Sequence, residues 1–213
     1  MRGSGKSPLA WVRYRLKDRP DTEHEQALVR LVVGVVVCVY SLIPNAIRQS
    51  GGEALEQLVV FGVWALMSIG VFLAILFYPG VSPVRRVIGA IGDTVVISYF
   101  MVQTGVEGLL LYVVYLWIIF GNGVRYGRFY LVNTLILSVI GFSLVIVFSD
   151  FWRAHVGTGI SLIFGMIGIS LYLLTLVKRL SDVIERQEAV IITLRGRLQR
   201  KTDRAPPGAS GSV

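Results

Sequence analysis

Few side chains of this sequence could take part in catalysis or hold a metal. The two histidines, His24 and His155, lie outside the long apolar runs, on what the sequence predicts to be opposite sides of a membrane. A metal site needs three or four His, Cys or carboxylate ligands together, and Cys38 is the chain's one cysteine. A serine nucleophile needs a base, and Ser161 and Ser170 have no histidine in any apolar run. We therefore predict no enzyme activity, no catalytic residue, no metal and no cofactor.

Asp93 is the ionisable residue that the sequence places deepest in an apolar run. A carboxylate at the centre of a membrane span costs about 2.5–3.5 kcal/mol, so such a group usually faces protein or water and has a partner. Two interpretations follow. Asp93 makes a hydrogen bond between helices, to Asn122, Asn133 or Thr134, or it is a ligand-pocket or proton-sensitive group. In either case it is the intramembrane polar candidate of this chain.

The residues discussed so far lie in or beside long apolar runs, most of which are long enough to cross a membrane. The chain is 54% hydrophobic and 16% charged, against roughly 45–50% and 25% for soluble domains. A spanning helix needs about 20 apolar residues. Six runs qualify or nearly qualify: 27–47, 58–78, 87–102, 108–120, 129–148 and 159–177. We predict an all-α integral membrane protein with a bundle of about six transmembrane helices. Because the third and fourth runs are short, the alternative is five spans if one of them is lost, or four if the two form one re-entrant pair.

Basic residues flank these runs in an asymmetric way. The net charge is +8, with 21 Lys and Arg residues. Short loops that stay in the cytoplasm are rich in Lys and Arg. A six-span arrangement places 18 of the 21 on one side, with Arg48 and Arg153 opposite and Arg30 at a membrane boundary. We therefore predict that both termini are cytoplasmic. The basic residues do not form one patch interleaved with aromatics, so the predicted partner is the lipid bilayer and not nucleic acid.

The polar ends of the chain complete the predicted organisation. Residues 1–26 form a juxtamembrane segment, 27–177 the bundle, 178–203 a cytoplasmic coiled-coil-like helix, and 204–213 a disordered tail after Pro206-Pro207-Gly208. The helix is predicted from apolar positions that recur at alternating steps of three and four, the heptad seam of a coiled coil. The seam comprises Val177, Leu180, Ile184, Gln187, Ile191, Leu194 and Leu198.

Three segments carry a resemblance to a known family. Residues 115–127 read YLWIIFGNGVRYG, residues 6–11 read KSPLAW, and residues 19–26 read RPDTEHEQ. These segments resemble the membrane input domain of RpfC-type sensor histidine kinases, and the similarity covers about residues 6–180. The resemblance implies a two-component system in the bacterial inner membrane. It also implies a receptor for the diffusible signal factor, a cis-2-unsaturated fatty acid used in quorum sensing. The ligand-binding residues that it implies are Asp21, Thr22, Glu23 and Gln26, with Thr22 in place of the family's Ser.

The chain departs from that family in two respects. No histidine follows His155 and the sequence ends at Val213, so the pattern resembles a kinase-less, RpfH-type relative of these sensors. The family's sensing stretch is usually drawn on the periplasmic face of five spans, whereas the charge distribution here favours six spans and a cytoplasmic N-terminus.

These observations favour a non-catalytic membrane receptor or regulator that signals through its C-terminal helix. It would act as a homodimer, or as a heterodimer with a sensor kinase. The alternatives are a small transporter or channel for an apolar solute and a membrane assembly partner. A transporter should show internal repeats with polar residues in matching halves. Asp93 has no counterpart in the second half of this chain.

Overall fold

The computed structural model describes residues 23–48, 51–78 and 80–203, and nearly all of them are helical. Asp21, Thr22 and the predicted tail 204–213 lie outside the described residues. The elements are α1 (Glu23–Arg48), α2 (Gly51–Phe77), α3 (Pro83–Thr104), a 3-10 turn (Glu107–Leu111), α4 (Tyr112–Tyr126), α5 (Arg128–Phe148), a short α6 (Asp150–Ala154) and α7 (Val156–Asp203).

Six helical segments in the described part of the chain are long and apolar enough to cross a membrane, which confirms the predicted all-α fold and the count of six. The third and fourth segments, predicted to be short, are 22 and 20 residues long. The third begins at Pro83, before two arginines that interrupt the hydropathy pattern. The fourth begins at Glu107, because the 3-10 turn continues directly into α4. Both segments are longer than predicted because their helices continue through charged residues, whereas the apolar runs end there.

Local sequence determines several of the helix ends. Ser82 caps α3 with extended backbone, and its hydroxyl oxygen accepts a hydrogen bond from the backbone N–H of Arg85. Pro83 follows at the first helical position, where its missing N–H costs nothing. Gly105 and Gly127 end α3 and α4 with φ of 58° and 89°, a region that residues with a Cβ rarely adopt.

Small residues allow the helices to pack closely, as is common in membranes. A Cβ on Gly34 of α1 would collide with the Trp64 ring of α2, and one on Gly141 of α5 would lie 2.7 Å from Thr94 of α3. Aromatic side chains fill the interior where α3, α4 and α5 meet α6 and α7. Phe142 contacts the rings of Tyr115 and Trp152 at centroid distances of 6.0 and 5.3 Å.

The outward faces of the six helices are also apolar. Large side chains such as Val32, Val63, Leu66 and Phe164 are more than half exposed. Such a continuous apolar exterior is unfavourable in water and is typical of contact with lipid. The last helix, α7, has 48 residues and is unbroken. At 1.5 Å per residue it is about 70 Å long, more than twice the ~30 Å hydrocarbon core, so much of it must lie outside the bilayer.

Candidate functional site

The first turn of α1 is joined to α3 by a buried carboxylate. The Glu23 side chain is 2% exposed, with Oε2 2.5 Å from Arg85 Nη2 and Oε1 2.6 Å from Arg86 Nε. Arg85 also donates to the backbone oxygens of Tyr78 and Gly80, at 3.2 and 2.8 Å. The Arg86 guanidinium lies 4.0 Å from the centre of the Tyr126 ring at the end of α4. Glu23 thus joins α1 to the α2–α3 loop and, through Arg86, to α4.

Gln26 lies three residues further along the same face of α1. Its Nε2 donates to Oδ1 of Asn122 in α4, at 3.1 Å, and Asn122 Nδ2 donates to the Ile118 backbone oxygen at 2.8 Å. Asn122 belongs to the Gly-Asn-Gly stretch of the sequence. A Cβ on Gly123 would lie 2.6 Å from Leu131 Cδ1, so this glycine permits α4 to approach α5. Within this stretch, the Asn122 side chain therefore binds α1, and Gly123 allows α4 to pack against α5.

The third connection lies deeper and contains Asp93. Arg30 Nε donates to Asp93 Oδ2 at 2.8 Å, and the two side chains are 8% and 12% exposed. Trp64 Nε1 donates to Asp93 Oδ1 at 3.2 Å. The suggested partners Asn122, Asn133 and Thr134 were therefore wrong, because both carboxylate oxygens of Asp93 accept from Arg30 and Trp64. The pair joins α1, α2 and α3, because Arg30 projects from α1 between the other two helices.

A cavity of about 290 Å³ lies between α1, α2, α3 and α4, and we call it the intrabundle cavity. Most of its lining is apolar and includes Val33, Val37, Phe61, Phe100 and Val114. Its polar lining comprises Gln26, Asn122 and Arg125, which lie at the end of the bundle that holds Glu23, together with the Arg30–Asp93 pair further in. An apolar cavity with a few polar groups at one end is typical of a site for a small amphipathic molecule.

The structure thus brings these predicted residues together: Glu23 and Gln26 lie in the first turn of α1, and Asp93 contacts α1 through Arg30. The other two residues implied by the family resemblance, Asp21 and Thr22, lie outside the described residues. Sequence reasoning missed Arg30, Trp64, Arg85, Arg86 and Arg125 as members of the site. A signal for Arg30 existed: it is the one basic residue inside the first apolar run, as Asp93 is the one acid inside the third. Among the described residues, no group of three His, Cys, Asp or Glu side chains could hold a metal.

Six apolar helices that are long enough to cross a membrane, joined inside the bundle by polar contacts, define a multi-pass α-helical membrane protein. The chain is 32% identical, over 181 residues, to the sensory/regulatory protein RpfC of Xanthomonas campestris pv. campestris, in the strains ATCC 33913 and 8004. The chain is therefore related to the RpfC proteins. The aligned region covers 84% of this chain and 24% of RpfC, so the chain spans about a quarter of the length of the curated relatives it matches. No protein-family model and no solved structure matches the chain.

Proposed function

We propose that the chain is a non-catalytic sensory module in a bacterial inner membrane, with both termini cytoplasmic. It detects a cis-2-unsaturated fatty acid and passes the change to its C-terminal helix. The 32% identity to RpfC over 84% of this chain carries the proposal, because the name of that relative describes a sensory and regulatory protein. The fatty acid follows from the resemblance to RpfC-type input domains, and the sidedness follows from the basic residues.

The contacts of α1 support a role in detection. Glu23 and Gln26, two of the residues implied to bind the signal, lie within one turn of each other and contact different helices. A ligand that displaced this turn would change the positions of α3 and α4 together. Helix α4 packs on α5 and α7, so the displacement would reach the helix that leaves the bundle.

The exposed seam of α7 supports a role in output. Leu180, Ile184, Ile191 and Leu194 are each about half exposed, with exposed fractions of 47–53%. Apolar side chains at heptad spacing on one continuous helix favour pairing with a second helix. Two chains held in one membrane have a raised effective concentration, which favours pairing even over three heptads. We propose that the partner is a second copy or a sensor kinase with the same seam.

Cysteine cross-linking tests this pairing. In a Cys38→Ser background, single cysteines at Ile184 and Ile191 should form disulfide-linked dimers several times faster than cysteines at Asp182 and Glu188. The seam positions face the partner in a parallel pair, whereas Asp182 lies on the outer face of the helix and Glu188 only flanks the seam. The measurement is the yield of dimer in native membranes after brief oxidation. Equal yields at all four positions would indicate that the helix does not pair through this seam.

Direct binding tests the detection step. Purified protein in lipid nanodiscs should bind a radiolabelled cis-2-unsaturated fatty acid saturably, and Gln26→Ala should weaken binding by about threefold to tenfold, the effect of one lost neutral hydrogen bond. The control is Glu25→Gln, which changes an exposed residue on the same turn and should bind as the wild type does. An absence of saturable binding to the wild-type protein would refute the proposed ligand.

A further inference from the structure

A fatty acid carries a negative charge in water at neutral pH, and a cationic donor favours its recognition inside a membrane. Glu23 is acidic and cannot attract such a charge. Among the arginines near the site, Arg30 is paired with Asp93, and Arg85 and Arg86 are paired with Glu23. Each of these guanidiniums already lies against a carboxylate. A guanidinium that no carboxylate neutralises would therefore be the better partner for the carboxylate of the signal.

Arg125 has the properties of that donor. Its side chain lines the intrabundle cavity beside Asn122, and its Nη1 is buried without a hydrogen-bond acceptor among the described residues. A buried cationic donor without an acceptor is costly, and an anionic ligand would remove the cost. We propose that the intrabundle cavity holds the acyl chain of the fatty acid, whose carboxylate pairs with Arg125 and lies near Gln26. This inference rests on the proposed function and assigns its ligand a location.

The size of the cavity fits one chain of moderate length. A cavity of about 150 Å³ in another protein holds benzene, which has six carbons, so 290 Å³ corresponds to about twelve carbons. From Val114 to Arg125 the lining face of α4 advances by 11 residues, or about 16 Å. The cavity is therefore long and narrow, with its polar groups at one end. Its volume matches a single-chain acid better than the two chains of a phospholipid.

The cavity also has a route of entry and no unbalanced negative charge. Trp117, Phe120 and Val124 line it and are 44–54% exposed on the outward face of α4, so a ligand dissolved in the bilayer could enter sideways. Asp93 is the carboxylate in the lining, and its two oxygens accept hydrogen bonds from Arg30 and Trp64. It is therefore neutralised by its own partners and does not repel an acid bound alongside.

The test compares two changes to the cavity with matched controls, using the radiolabelled acid and its methyl ester. Arg125→Gln should weaken binding of the acid by about tenfold to hundredfold, the effect of one charge-assisted hydrogen bond, while Arg128→Gln, at an exposed position, should not. Arg125→Lys keeps the charge and should restore most of the affinity. The methyl ester carries no charge, so its binding should be the same in the wild type and in Arg125→Gln.

The second change fills the cavity. Gly121 is a lining residue, and a Cβ at this position would meet no atom within 4 Å, so a leucine can be placed here without displacing a neighbour and is expected to narrow the cavity. This variant should lose binding of both the acid and the ester by at least about tenfold. Gly168→Leu is the control, since Gly168 is exposed on α7 and its Cβ would also meet open space. Melting temperatures of all variants show whether each one folds.

Three outcomes would overturn the inference. If the wild type binds the acid but Arg125→Gln and Gly121→Leu bind it equally well, the ligand lies elsewhere and the proposed function survives. If excess phosphatidylglycerol displaces the acid in the wild type, the cavity is occupied by a membrane lipid chain. If the wild type binds no fatty acid, the proposed function fails first, and the cavity site fails with it.

Discussion

Asp93→Leu is expected to lower the free energy of unfolding by about 3–5 kcal/mol, the usual cost of removing one partner of a buried ion pair. The substitution leaves Arg30 charged between α1, α2 and α3, where its side chain is 8% exposed. It also leaves the Trp64 N–H without its acceptor. The measurement is denaturant or thermal unfolding in detergent micelles.

Three companion variants make this result specific. Asp93→Asn keeps an oxygen that can accept a hydrogen bond from Trp64, so its cost should be smaller, about 1–3 kcal/mol. The double variant Arg30→Leu/Asp93→Leu removes both charges and should recover most of the lost stability, because an apolar pair can replace a buried ion pair at little cost. Asp182→Leu, on the exposed part of α7, should have no such effect. If Asp93→Leu is as stable as the wild type, the Arg30–Asp93 pair does not contribute to folding.

Glu23→Gln is expected to have the second largest effect, a loss of about 3 kcal/mol in the free energy of unfolding. The amide carries no charge, so Arg85 and Arg86 lose the carboxylate that they share at the start of α3. The first turns of α1 should then separate from α3 more often. Amide hydrogen exchange should therefore rise in residues 23–30 and at the start of α3, and remain unchanged in α5.

Glu25→Gln is the matched control for this prediction. It makes the same chemical change two residues away, at an exposed position, where substitutions usually alter stability by no more than about 0.5 kcal/mol. Equal exchange in the two variants would mean that the Glu23 carboxylate does not hold α1 to α3.

Hydropathy along the chain was sufficient to predict the fold class and six spans. Transfer of a segment into hydrocarbon depends on the segment's own side chains, so the signal is local and survives without knowledge of neighbours. The same signal misjudged the third and fourth spans, at which Arg85, Arg86 and Glu107 lie near helix starts. Helices are limited by backbone hydrogen bonding and caps such as Ser82, not by the end of an apolar run.

The partners of the polar residues were decided by the tertiary structure. Asp93 was identified from sequence as a buried polar candidate, yet its partner lies 63 residues away on α1. Lipid is as apolar as the surface of a spanning helix, so the hydrophobic effect does not select which spans pair. Pairing depends instead on close packing at small residues such as Gly34 and Gly141, and on polar groups that meet across helices. Such contacts depend on how each helix is rotated about its axis and how far it is shifted along that axis. Hydropathy does not encode either quantity. The sequence by itself therefore determined that the chain crosses the membrane, while three-dimensional packing decided that Glu23, Gln26, Arg30 and Arg125 share one site.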